Sequence, residues 1–275
     1  MSQILFKSVG NALNAVSYIS SKYASNKALQ LFATPRKGAY TEAQETIVSK
    51  AKKHYTKFEN IDIALYHWKG DGKTVLLAHG WESNASRWHY LLEDFKAKNY
   101  NIVALDAPAH GKSNGKLFSA ILYADCINEV AKIYKPEVII GHSVGGMASI
   151  FFNHFYEAPY LKKVVTLGAP AHFRGVFTRY KHMMGYNKRV SHGLDRIVLD
   201  RFGKTVDYFS AVNFTKNFSI EGLIIHDKND KIIPYEDALL FAKYFKNTSL
   251  ITTEGFGHGL KDKSLTPRVI EFIDA

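Results

Sequence analysis

Short apolar runs recur through the middle and the C-terminal part of this chain. Between them lie stretches in which apolar residues return every three or four positions. The runs fall at Thr74–Ala78, 102–105, 138–140, 164–167, 223–225 and 250–252. Each is nearly free of polar residues, the pattern of strands buried on both faces. Helical periodicity occupies 88–98, 121–134, 144–156 and 236–245. This alternation predicts an α/β fold, a mostly parallel sheet covered by helices on both sides. Upstream, Ile61–Trp68 reads as a further strand, closed by the turn residues Lys69, Gly70, Asp71 and Gly72.

Two segments depart from this rhythm. In the first, Ile4, Leu5, Phe6, Val9, Leu13, Val16 and Ile19 recur at helical spacing, and Pro35 and Gly38 mark a boundary after them. Residues 1–40 are therefore expected to form an amphipathic helical appendage. The second lies between Leu167 and Leu223, is rich in aromatic and basic residues, and is too long for a bare loop. Residues 171–215 are read as a mostly helical insertion, a cap over the active edge of the sheet. That leaves 41–170 and 216–275 as the α/β core.

One pentapeptide carries chemistry. Gly141-His142-Ser143-Val144-Gly145 matches G-x-S-x-G, directly after an apolar run and directly before a helical pattern. A sharp strand-to-helix turn lifts a serine hydroxyl clear of a sheet, and glycines two positions away permit that close approach. A serine hydroxyl is a weak nucleophile until a base takes its proton. Among the twelve histidines, His258 stands out in the glycine-flanked segment Gly255-Phe256-Gly257-His258-Gly259, late in the chain and after a strand. A base of this kind needs a carboxylate to hold its tautomer. Asp227 and Asp230 both follow the run at 223–225. Asp227 leaves the strand at once and suits turn-ordering, so Asp230 is the expected partner. Negative charge on a reacting carbonyl requires N–H donors, and the backbones of Trp81, in His79-Gly80-Trp81, and of Val144 are placed to supply them.

Composition narrows the remaining possibilities. The single cysteine, Cys126, excludes an internal disulfide framework and, beside Ile127 and Val130, reads as a buried inert thiol. No phosphate loop, dinucleotide fingerprint, H-E-x-x-H or paired-cysteine motif is present, so no cofactor and no metal are expected. No secretory signal is legible and no apolar stretch reaches a spanning length, so a cytoplasmic location is expected. The formal net charge is +11. Nine bases up to Lys57 face only Glu42 and Glu45, and eight between Arg174 and Lys204 face Asp195 and Asp200. Such a balance favours anionic partners, without the zinc-finger spacing or aromatic signature of a nucleic-acid binder.

The Gly141–Gly145 segment, His79-Gly80, Asp106-Ala107-Pro108-Ala109-His110-Gly111-Lys112-Ser113, Asp230 before Ile233-Pro234, and Gly257-His258 together resemble the α/β-hydrolase superfamily. The resemblance covers the chain from about Ile61 onward. It departs from the family at Ala109, where a glycine is usual. It implies an eight-stranded, mostly parallel sheet, a cap inserted after the sixth strand, and a triad in the order Ser143, Asp230, His258. The expected function is cleavage of a carboxylic ester or thioester by an esterase- or thioesterase-like serine hydrolase. Its partner would be a small acyl substrate, and the basic cap points to an anionic one. Two other readings stay open. One is a non-catalytic binding protein of the same fold. The other is a basic binder of nucleic acid or of a membrane surface, with peripheral membrane contact through the N-terminal helix. Nucleic acid is not the expected partner, and the oligomeric state is open.

Overall fold

The computed structural model describes residues 3–275. In chain order the helices and strands are α1 (Gln3–Val16), α2 (Ser21–Ala33), α3 (Glu42–Val48), β1 (Lys52–Phe58), β2 (Ile61–Trp68), β3 (Thr74–Ala78), α4 (His89–Ala97) and β4 (Asn101–Leu105). There follow α5 (Ala120–Tyr134), β5 (Val138–His142), α6 (Val144–Phe155), β6 (Lys163–Leu167), α7 (Phe173–Met184) and α8 (Lys188–Phe202). The last are α9 (Ala211–Thr215), β7 (Glu221–Asp227), α10 (Tyr235–Tyr244), β8 (Thr248–Thr253) and α11 (Thr266–Asp274). The elements form two compact units. One is built from the chain up to Thr34 together with His172–Ser210, the other from Pro35–Ala171 and Ala211–Ala275.

The larger unit holds an eight-stranded sheet in the order β1-β2-β4-β3-β5-β6-β7-β8. Strands β1, β2 and β4 pair antiparallel, and every pairing from β4 through β8 is parallel. Each predicted apolar run lies inside one of these strands, and the four predicted helices are α4, α5, α6 and α10. Every residue of β5 and β6 is buried, which is why those strands read as continuous apolar runs. Strand β1 escaped the pattern. It is an edge strand, half exposed, and Lys52, Lys53 and Lys57 guard it against pairing with another chain. Helix α3 was also unanticipated, although Thr41 and Gln44 close a reciprocal capping box at its start. Trp88, Phe95, Tyr66 and Leu77 meet in the core on one side of the sheet. Cys126 is fully buried in α5, and burial pushes its thiol well above the usual range, which suits packing and not reactivity.

Strand order reverses around β3, whose neighbours are β4 and β5, and loops leaving the carboxyl ends of strands flanking such a switch form a crevice. Ser143 follows β5 at this switch point, and Asp230 and His258 follow β7 and β8 at the same carboxyl edge of the sheet.

The smaller unit is helical. The N-terminal helices and the helices of the segment after β6 pack on each other: Phe32 of α2 sits 5.2 Å from Phe177 and 4.7 Å from Tyr180, ring centre to ring centre. The Tyr180 hydroxyl donates to the Ala28 carbonyl at 2.8 Å. The apolar stripe on α1 and α2 thus has its partner in α7 and α8, a pairing separated by more than a hundred residues of sequence. The short helix α9 belongs to the sheet unit.

Candidate active site

Strand β5 ends at His142 and α6 begins at Val144, so the whole turn rests on Ser143. Its backbone sits at φ 52 and ψ −123, a region that costs a non-glycine residue energy and persists only when its surroundings impose it. The surroundings do so through close packing. A side chain on Gly145 would drive into the backbone of β3 at Ala78 and would stand 2.5 Å from the His79 carbonyl oxygen. The Ser143 N–H is held by the Leu167 carbonyl at 2.8 Å. The serine is 5% exposed, with Val144 opening a helix whose first N–H groups lack intrahelical partners.

The Ser143 hydroxyl lies 3.0 Å from His258 Nε2, and His258 Nδ1 lies 2.7 Å from Asp230 Oδ2. The structure therefore brings together three residues separated by 87 and 28 positions, supplied by loops after β5, β7 and β8. Asp230 is fixed on its other side as well. Its Oδ1 accepts the Ile232 and Ile233 N–H groups at 2.8 and 3.0 Å, and its side chain is fully buried. Burial alone would push this carboxyl up. Hydrogen bonds from His226, His258, Ile233 and Ile232 outweigh it and hold the group well below the usual carboxylate range. Asp227 serves the turn. It accepts the Asn229 N–H at 2.9 Å, and both the Thr253 hydroxyl and the Phe256 N–H at 2.8 Å.

His79, ahead of the serine, holds its own loop. His79 is completely buried, and its Nε2 accepts the Ala107 N–H at 2.9 Å, so its proton is on Nδ1 and donates to the Gly80 carbonyl at 2.8 Å. In a planar trans peptide the N–H points opposite to the C=O. The Trp81 N–H is therefore turned away from His79. The loop carrying it runs beside Ser143, because a side chain on Gly80 would stand 2.7 Å from His142 Nδ1 and 3.0 Å from Ser143 Cβ. The Trp81 ring itself packs edge-on against His110 and Phe118.

Sequence reasoning missed a second layer. His142, the variable residue before the serine, donates from Nε2 to the His258 carbonyl at 2.8 Å, while its Nδ1 accepts a guanidinium proton of Arg87 at 2.8 Å. Arg87 also donates to the Gly259 carbonyl at 2.8 Å. Both side chains are buried, at 6% and 4% exposed. Burial, aided by the charge of Arg87, keeps the His142 imidazole neutral, and burial lowers the guanidinium to about 10. No carboxylate among the described residues pairs with Arg87. The loop around His258 is glycine-rich, with Gly255, Gly257 and Leu260 at positive φ, and this clasp grips it by two carbonyls. Nothing beside Arg87 in the sequence announces the role.

The Asp106 loop is built around a buried carboxylate that accepts Tyr40 and Tyr66 hydroxyls at 2.9 and 3.0 Å, and the Ala85 and Lys112 N–H groups at 2.9 Å. Ala109, where a glycine was expected, takes φ 61. Among the described residues no cluster of His, Cys, Asp or Glu is arranged to hold a metal.

Known proteins share this architecture. The chain is 23% identical to a bifunctional esterase/perhydrolase from Acinetobacter calcoaceticus, over 75% of this chain and 93% of that protein. It is 27% identical to a pimeloyl-acyl-carrier protein methyl ester esterase from Salmonella newport (strain SL254), over 52% of this chain and 54% of that one. An esterase from Exiguobacterium antarcticum superposes with a TM-score of 0.64 at 16% identity, covering 82% of this chain and 100% of that chain. A bromoperoxidase from Bacillus anthracis does so equally, with a TM-score of 0.64 at 19% identity and the same coverages. The model of the alpha/beta hydrolase family matches residues 75–239, more than half of the 275 residues. With sheet order, elbow and sequence in agreement, this chain is an enzyme of the alpha/beta hydrolase family.

Proposed function

We propose that the protein is a serine hydrolase that cleaves a carboxylic ester or thioester through an acyl-enzyme on Ser143. The observation that carries this reading is the continuous hydrogen-bonded line from the Ser143 hydroxyl through His258 to Asp230, at 3.0 and 2.7 Å. His258 Nε2 removes the hydroxyl proton as Oγ bonds to the carbonyl carbon. The buried carboxylate of Asp230 keeps the proton of the neutral ring on Nδ1 and stabilises the imidazolium that forms. Charge on the tetrahedral oxygen is met by the N–H groups of Trp81 and Val144, the latter at the positive end of α6. Collapse breaks the bond to the alcohol or thiol, which leaves with the proton from His258. Water then repeats the sequence to release the acid.

Sequence relatives named as esterases support the ester class. The fold by itself supports no particular substrate, since solved neighbours include a bromoperoxidase. A non-catalytic binder has no use for a nucleophile in strained backbone, a base and an oriented acid together. The test is intact-mass analysis after treatment with a fluorophosphonate, alongside turnover of p-nitrophenyl esters of graded length and of acyl-CoA thioesters. One adduct on Ser143 and loss of turnover in Ser143→Ala are expected. Turnover retained by Ser143→Ala, or labelling of another serine, overturns the proposal.

A further inference from the structure

The helical unit holds most of the chain's charge. It carries eleven Lys or Arg against three Asp, a formal +8 of the total +11. The three acids are already engaged: Asp195 with Lys181 and Arg174, Asp207 with Arg174, and Asp200 with Arg196. The corner between α1 and α2 and the corner between α7 and α8 lie side by side. Asn14 donates to the Gly185 carbonyl at 2.8 Å, the Asn187 N–H donates to Asn14 at 2.8 Å, and the Asn187 amide donates to Ser17 at 3.1 Å. The joined corners present large apolar side chains to solvent, with Ile19 92%, Tyr18 72% and Met183 40% exposed. Around them stand Lys22, Lys188 and Arg189, and the Arg189 guanidinium lies 5.0 Å over the Tyr18 ring. None of these three cations pairs with a carboxylate among the described residues.

We propose that this tip docks the protein on an anionic phospholipid bilayer, with Ile19 and Tyr18 entering the headgroup–acyl boundary and the three cations meeting lipid phosphates and carboxylates. This tip fits lipid better than a nucleic acid or a protein. An isoleucine left 92% exposed at a helix corner gains nothing from a phosphodiester backbone, whereas an interface takes up apolar side chains and aromatic rings. The hydrogen-bonded joining of the two corners gathers these apolar groups and cations at one tip. Neither signal suffices alone for stable anchoring, and the tip supplies both. Among the described residues no helix is long and apolar enough to cross a membrane, so contact would be peripheral.

The test is co-sedimentation of the full chain with vesicles of phosphatidylcholine, with and without about a third phosphatidylserine. Binding is expected only with the anionic lipid, falling about tenfold or more from 0.1 to 0.5 M salt as the Debye length contracts. Ile19→Asp should weaken it about tenfold or more, and Lys22→Gln with Lys188→Gln about 30-fold. These positions are solvent-exposed, and turnover of a soluble ester should not change. As an independent readout, Ile19→Cys can carry an environment-sensitive dye, because Cys126 is buried. The dye should shift to the blue on anionic vesicles. Equal sedimentation with both lipids, full binding by Ile19→Asp, or no blue shift overturns the proposal. So does tip-dependent dimerisation in place of lipid binding, or equal loss of binding to a single-stranded RNA in the same variants.

Discussion

Asp230→Asn isolates one hydrogen atom of the proposed machinery, and the structure says where that atom goes. Oδ1 of Asp230 accepts two backbone N–H groups, from Ile232 and Ile233, so the asparagine carbonyl oxygen must stay there. The amide nitrogen then replaces Oδ2 and points its protons at His258 Nδ1 and toward His226 Nε2, which lies 3.4 Å away. A donor now faces a donor. His258 escapes by moving its proton to Nε2, where it faces Ser143 and can no longer accept. The expected loss in kcat is about 10³- to 10⁴-fold, or about 4–5.5 kcal/mol of barrier, with KM little changed. Asp227→Asn is the control: its carboxylate bonds Thr253, Asn229 and Phe256, so it should cost about 1–3 kcal/mol of stability and less than about tenfold in kcat. The assay is initial-rate turnover of a p-nitrophenyl ester by folded, purified variants, with the melting temperature of each. A folded Asp230→Asn enzyme within tenfold of the parent would refute the tautomer argument. So would Asp227→Asn as the more damaging change.

Other outcomes follow from the same geometry. Asp230 titrates below its usual range when folded, so its stabilising effect is complete above the unfolded value near pH 4 and is lost as pH falls from there. Chemical denaturation of Asp230→Asn should accordingly show a shallower loss of stability below pH 4 than the parent. Arg87→Met removes the direct grip on the Gly259 carbonyl and the guanidinium proton that orients His142 toward the His258 carbonyl, and kcat should fall about 10- to 100-fold with KM nearly constant. Added guanidinium should restore part of the rate in Arg87→Ala, and no rescue together with full activity in Arg87→Met would show the clasp to be idle. Ala109→Gly relieves a left-handed backbone at a cost in unfolded-chain entropy, and should stabilise by about 0.5–1 kcal/mol in a denaturant titration. The excess of base predicts higher kcat/KM for anionic than for matched neutral acyl substrates at low salt. Equal ratios at 0.05 and 0.5 M salt would remove steering from the account.

Local information in the chain determined the elements whose physics is local. Buried central strands are apolar throughout because both faces are covered, so β3 to β8 could be found run by run. The strand–serine–helix turn was legible because the strain at Ser143 demands glycines at fixed offsets, and sequence carries fixed offsets directly. The choice of Asp230 over Asp227 also came from position within one loop. Other features depend on what the chain meets far away in sequence. Strand β1 has too little burial to leave an apolar signature. The apolar stripe on α1 and α2 announced a helix with a hidden face but could not say that α7 and α8 would cover it. Arg87 and His142 acquire their function from two carbonyls near His258, more than a hundred positions along the chain from either residue. Such contacts leave no period and no motif, because a hydrogen bond between distant residues constrains where they meet and not what stands beside them. Which charges cancel is decided in the same way. The sequence determined the excess of base, and only the folding of α1 and α2 against α7 and α8 brought Lys22, Lys188 and Arg189 to one apolar corner.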